Sequence, residues 1–137
     1  MMDFVFQYDG FCIEYDECRK LHLMACTDVH VKNVTVHGDE RWPNNDGIDL
    51  DSCQHVVVED STIDTADDGV CIKGAAAETR NITVRRMRIR SRSSAIKFGS
   101  NCPMAMTDLL FEDVCKSSNR PLCRSNCIIW PASSILV

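Results

Sequence analysis

Hydrophobic and polar positions alternate along this chain in short runs, and no long window carries the 3.6-residue period of a helix. Four segments share one layout: LHLMACTDVHVKNVTVHG, IDLDSCQHVVVEDSTIDT, VCIKGAAAETRNITVRRMRIRS and AIKFGSNCPMAMTDLLFEDV. Each opens with a strand of three to four residues, turns a small or polar corner, and continues into a second strand. Anchored on the first strand, the segments align Leu21, Ile48, Val70 and Ile96, in steps of 27, 22 and 26 residues. Short β runs recurring at about 20–30 residues are the signature of a solenoid. The LxxLxL and asparagine spacing of a leucine-rich repeat is absent, and β-branched residues dominate. The pattern therefore predicts an all-β solenoid of stacked parallel coils, about 4.8 Å apart, because one coil cannot bury its inner face alone.

Stacking predicts which side chains share a face. Period 2 turns Ile48 and Leu50 inward with Asp49 and Asp51 outward; Val70 and Ile72 inward with Cys71 and Lys73 outward; and Ile96 and Phe98 inward with Lys97 outward. Cys26 and Cys53 each stand three residues before a Val-x-Val run, which predicts a small inward ladder. Arg85, Arg86, Arg88, Arg90 and Arg92 interleave with Val84, Met87 and Ile89, the pattern of an exposed strand face over a buried one.

Composition narrows the classes. With 137 residues, 45% hydrophobic content and a net charge of −5, the chain reads as one globular domain and not a disordered segment. The acidic balance argues against nucleic acid as a partner. No apolar run approaches the ~18 residues of a membrane helix. The N-terminus MMDFVFQYDGFCIEYDEC has early acids and no basic region, unlike a secretory signal. Nine cysteines form no pair of CxxC motifs, so a zinc ribbon is not expected, and no metal or cofactor is. Cys18, Cys26, Cys53 and Cys71 read as small buried hydrophobes, while Cys102, Cys115, Cys123 and Cys127 are candidates for a bridge. Two sequons begin at Asn33 and Asn81 and decide nothing alone.

Chemistry concentrates at Asn45-Asp46-Gly47-Ile48-Asp49 and Ala66-Asp67-Asp68-Gly69-Val70. Asp46 lies two residues before Ile48, and Asp68 two before Val70, so stacking brings Asp46, Asp67 and Asp68 together. Crowded carboxylates repel, which raises the pKa of at least one of them. Glycoside hydrolysis needs such asymmetry: a protonated acid for the leaving oxygen and an ionised base for water. The plain alternative is that both Asp-Gly pairs only turn corners, although a turn needs neither Asp67 nor a matching register. An EF-hand calcium loop does not fit, since the template puts Trp42 or Ala66 at ligand positions; an irregular calcium site is the other rival.

The stretch NNDGIDLDSCQHVVVEDSTIDTADDGVCIK resembles the central coils of glycoside hydrolase family 28, the polygalacturonase family. Asn44-Asn45-Asp46 stands where that family has Asn-Thr-Asp, and Asp67-Asp68 matches its paired aspartates one coil later. The likeness extends more loosely from Leu21 to Leu122. It implies a right-handed parallel β-helix, the pectin-lyase-like solenoid, of which this chain supplies about four to five coils. It implies an inverting hydrolase acting on an acidic, pectic polysaccharide, extracellular and monomeric. Carried over by position, Asp67 is the general acid, and Asp46 and Asp68 activate water. Substrate-binding candidates are Lys97, which faces a uronate carboxylate, with Asp49, Lys73, Ser94 and His22. Two departures stand out: Ser93-Ser94-Ala95 replaces the family's Gly-His-Gly, and the later Arg-Ile-Lys motif is missing, Arg120 not matching it. The organisation expected is an N-terminal coil or cap remnant over 1–20, coils over 21–122 and an unassigned tail over 123–137. The alternatives are a calcium-dependent polysaccharide lyase, with Lys73 or Lys97 as base, and a non-catalytic carbohydrate-binding β-helix.

Overall fold

A computed structural model describes residues 19–38, 41, 43–100, 102–117 and 126–131, with side chains between 21 and 117. Among the described residues every element is a strand: β1 Arg19–Met24, β2 Thr27–Lys32, β3 Thr35–His37, β4 Asp46–Asp51, β5 Gln54–Glu59, β6 Thr62–Thr65, β7 Val70–Lys73, β8 Thr79–Ser91, β9 Ile96–Phe98, β10 Met106–Ser117 and β11 Asn126–Pro131. One sheet stacks β1-β4-β7-β9; the other runs β11-β10-β8-β5-β2, with β3 on β6 and β6 on β8. All pairings are parallel except β10 with β11. The chain is thus a right-handed parallel β-helix, the hand that parallel crossovers take. Its register is the one the anchors predict, Leu21 beside Ile48, Ile48 beside Val70, and Val70 beside Ile96. β11 does not continue the parallel stacking; it pairs antiparallel along β10.

The core is a set of ladders running along the solenoid axis. Val29, Val56, Ile82 and Leu109 form one, and Val31, Val58, Val84 and Phe111 another, all buried. Burying each such side chain stabilises by about 1.5–3 kcal/mol, so the stack rather than any one rung makes the fold. Cys26 and Cys53 join this core as expected, both as free thiols. Cys102 is a free thiol as well; Cys18, Cys123 and Cys127 lie outside the described side chains. Phe98 packs edge-on against Phe111, centroids 5.9 Å apart.

Corners form at residues with left-handed backbone. Asn33, Asp60, Arg86 and Asp113 occupy equivalent places on successive rungs, with φ of 56°, 51°, 50° and 50°. Asn and Asp tolerate this region, whereas Arg pays about 1 kcal/mol or more for it. Arg86 is held there by Asp60, with Nε 2.6 Å from Oδ1, and by Glu59, with a guanidinium nitrogen 2.7 Å from Oε2.

The arginine face is therefore less free than its alternation implies. Met87 and Ile89 point inward and Arg88 outward, as expected, but Arg85, Arg86 and Arg90 spend their charge on Glu59, Asp60 and Asp64. Glu59, only 3% exposed, also has Lys32 at 3.3 Å and His30 at 3.0 Å. Burial alone would raise its pKa; the hydrogen bonds from Arg85, Arg86, His30 and Lys32 outweigh that and bring it down to about 2. A lowered pKa means the contribution is complete above the free value of 4.5 and is lost as pH falls through about 2. Its cationic partners are 38–42% exposed, so solvent screening trims the contribution to about 1–2 kcal/mol. Glu59→Gln is expected to lose that much in urea denaturation at pH 6, with the gap to the parent closing near pH 2. An equal gap at both pH values would refute this account.

Candidate active site

The two Asp-Gly pairs begin β4 and the approach to β7, and their glycines are required by contact. A Cβ on Gly47 would lie 2.4 Å from Ile63 Cγ2 and 2.5 Å from the Gly69 carbonyl oxygen. One on Gly69 would lie 2.4 Å from Ile89 Cγ2 and 2.6 Å from the Ala95 carbonyl oxygen. Each rung can sit on the next here only if nothing projects from these positions. Neither glycine is among the positions that need a left-handed backbone, so the Asp-Gly pairs do more than turn corners.

That close stacking sets the acidic residues in rows. Gly47 N–H donates to the Asp68 carbonyl at 2.8 Å, and Gly69 N–H to the Ser94 carbonyl at 2.8 Å. Asp46, Asp68 and Ser94 thus succeed one another on adjacent rungs. The Asp68 N–H donates to Asp46 Oδ1 at 3.3 Å, and the Ser94 N–H to Asp68 Oδ1 at 3.0 Å. Lys97 Nζ donates to Asp68 Oδ2 at 2.6 Å. Carboxylate oxygens of Asp46 and Asp68 and the Cys71 sulfur all lie within 4.8 Å of one another. A second row holds His22, Asp49, Cys71 and Lys97, and a third Met24, Asp51 and Lys73.

An open cleft of about 360 Å³ runs over these rows, lined by Asn44, Asp46, Asp51, Asp67, Cys71, Lys73, Ala75, Lys97, Gly99 and Ser100. Of the residues singled out in the sequence, Asp46, Asp67, Lys73 and Lys97 line it. Asp68 lies just beneath, 1% exposed, beside Lys97. Ser94 reaches Asp68 through its backbone, and His22 stands beside Asp49 one rung away without lining the cleft.

The outward aspartates need correction. Asp49 and Asp51 do point away from Ile48 and Leu50, yet both are buried, as is the whole of β4. Lys73 Nζ covers Asp49 at 2.8 Å, and the 74–78 loop folds over Asp51, whose Oδ1 accepts the Ala75 N–H at 3.0 Å. Cys71, on the outward phase of β7, is buried too, in keeping with its reading as a small buried hydrophobe. Asn44, Asp51, Cys71, Ala75, Gly99 and Ser100 line the cleft without having been singled out as site residues. Asp51 and Cys71 carried a signal in their outward phase on β4 and β7, and Asn44 in the Asn44-Asn45-Asp46 motif.

The electrostatics separate the two stacked carboxylates. Burial, followed by the charges of Asp49 and Asp67, pushes the Asp46 pKa up against the pull of Lys73. Burial would raise Asp68 as well, but Lys97, Ser93 and the Ser94 N–H overcome it and hold the carboxyl below its usual range. Neighbouring groups driven in opposite directions are what acid–base work on a shared water requires. Cys71 is pushed up, by burial first and then by Asp46 and Asp49, and stays a thiol.

The model of glycosyl hydrolases family 28 matches residues 9–94, a span that includes Asp46, Asp67, Asp68 and Ser94. A probable polygalacturonase of Vitis vinifera is 29% identical over 103 residues, covering 69% of this chain and 21% of that protein. A probable polygalacturonase of Arabidopsis thaliana is 32% identical over 57 residues, covering 42% of this chain and 12% of that one. The chain therefore spans about a fifth or less of the length of these relatives. No solved structure matches.

Proposed function

The chain belongs to glycosyl hydrolases family 28, and on that premise we propose that it hydrolyses glycosidic bonds in pectic polysaccharide outside the cell. The observation that carries this reading is the pair Asp46 and Asp68, within 4.8 Å of each other on adjacent rungs, the first pushed up chiefly by burial and the second held below its usual range by Lys97. In this reading the pair flanks one water, and Asp68, kept ionised by Lys97, accepts the proton as the water oxygen attacks the anomeric carbon. Asp67, on the cleft wall, gives its proton to the leaving glycosidic oxygen as that C–O bond breaks. Attack and departure on opposite faces of the sugar ring invert the anomeric centre. Lys97, 41% exposed beside the pair, is the cation that meets a uronate carboxylate.

A β-eliminating lyase needs a neutral base in the groove, and neither lysine suits that task. Lys73 is paired with Asp49, and the hydrogen bond that Lys97 donates to Asp68 raises the lysine's pKa and keeps it an ammonium. The test is product chemistry on polygalacturonate. New reducing ends without ultraviolet-absorbing unsaturated sugars, undiminished by a calcium chelator, are expected. Unsaturated, calcium-dependent products would overturn the proposal in favour of a lyase, and binding with no turnover would favour a carbohydrate-binding module.

A further inference from the structure

We propose that Lys73 is a positioning residue, whose ammonium orients the Asp46 and Asp49 carboxylates across a rung boundary and leaves the substrate's charge to Lys97. The division of labour between the two lysines rests on the hydrolase reading; the positioning itself does not.

The two lysines differ in where they put their charge. Lys73 is 12% exposed and Lys97 41%. Lys73 Nζ lies 2.8 Å from Asp49 Oδ2 and 3.7 Å from Asp46 Oδ2, reaching back to the preceding rung. Its stem is steered there by a gap on the following rung. A Cβ on Gly99 would lie 2.7 Å from Lys73 Cγ, 3.0 Å from Cε and 3.3 Å from Cδ. The space a side chain at 99 would occupy is filled by the lysine stem, and Gly99 is pinned by its N–H to the Ile72 carbonyl at 2.9 Å.

This placement matters because Asp49 is fully buried, and a buried carboxylate without a cation is costly. It matters equally for Asp46. The groups acting most strongly on Asp46 are Asp49 on its own strand and Lys73, Asp67 and Asp68 from the next rung, and of these only Lys73 is positive; Lys97 faces the same cluster from the rung beyond, bound to Asp68. The position opposite on β1 is Arg19. A cation committed to two carboxylates within the protein is poorly placed to bind a third on the substrate. Lys97, on the open side of the same cleft, is free of that burden on all but Asp68.

The experiment follows the Asp46 carboxyl carbon by NMR through a pH titration of the full chain, without substrate. Lys73→Met is expected to move the Asp46 midpoint up by about one pH unit or more. Lys73→Arg, which keeps the charge, is expected to return it to within a few tenths of a unit. Gly99→Ala, which crowds the stem and leaves the charge in place, is expected to shift the midpoint in the same direction by less; it serves where Lys73→Met does not fold. An Asp46 midpoint unmoved in both Lys73→Met and Gly99→Ala would overturn the proposal. A second arm uses polygalacturonate: Lys73→Met lowers kcat with KM little changed, and Lys97→Met raises KM. A raised KM with kcat retained in Lys73→Met would make it a substrate contact and overturn the assignment. Shifted midpoints in a chain that turns over no substrate would leave the positioning role standing and count against the hydrolase reading alone.

Discussion

Gly69→Ala is expected to cost about 3 kcal/mol or more, a large part of the ~5–15 kcal/mol that holds a domain of this size together. The added methyl would meet Ile89 Cγ2 at 2.4 Å and the Ala95 carbonyl oxygen at 2.6 Å. The isoleucine can turn within limits. The carbonyl cannot, because it accepts the Val70 N–H at 2.9 Å and so belongs to the ladder joining two rungs. Relief therefore means parting the rungs, which loosens Val70 on Ile96 and lifts Asp68 off the Ser94 N–H together. Gly74→Ala is the control, since its Cβ would come no closer than 3.1 Å to the Met104 carbonyl oxygen and 3.4 Å to other atoms. Urea midpoints for the two variants measure the difference. Equal midpoints would show that the strand approach at Gly69 is slacker than its contacts imply.

The same glycines explain why so much of the scaffold was legible in the sequence. A parallel solenoid repeats its inward residues rung by rung, so Leu21, Ile48, Val70 and Ile96 betray the register without any knowledge of the loops between them. The step from Ile48 to Val70 is shorter than the one before because only residues 66–69 separate β6 from β7, against 38–45 between β3 and β4, and shorter than the one after because 52–53 link β4 to β5, against 74–78 between β7 and β8. Carboxylates at a fixed offset before the anchors inherit that register, which is why Asp46 and Asp68 stack as expected. What covers the outer face is another matter. Period 2 says that Asp49 and Asp51 leave the core, but their burial depends on a lysine from the next rung and on the 74–78 loop. Those are contacts between segments more than 20 residues apart, and alternation along one strand holds no information about them. The arginine strand shows the same limit: its exposure could be read from β8 alone, whereas its neutralisation requires Glu59, Asp60 and Asp64 one rung earlier. Lys73 and Lys97 look alike in sequence, and a glycine at 99 separates their fates.

Asp67→Asn is expected to lower kcat on polygalacturonate by about 10²–10⁴-fold, the range a positioned general acid supplies. Asparagine keeps the size and polarity of the side chain and removes only the transferable proton, so KM should change little. Stability should stay within about 0.5 kcal/mol, because Asp67 is half-exposed on the cleft wall. Asp68→Asn provides the contrast. Asp68 is buried and anchors both the Lys97 ammonium and the Ser94 N–H, so its replacement should lose activity and stability together. It should also remove a pH dependence: with its folded pKa lowered, Asp68 stabilises the fold above its free value near 3.8, and that support is lost as pH falls below it. Stopped turnover with an unchanged urea midpoint in Asp67→Asn, beside a lowered midpoint in Asp68→Asn, separates proton donation from architecture. Full turnover in Asp67→Asn would remove it as the acid and with it the two-carboxylate mechanism, whatever Asp68→Asn does.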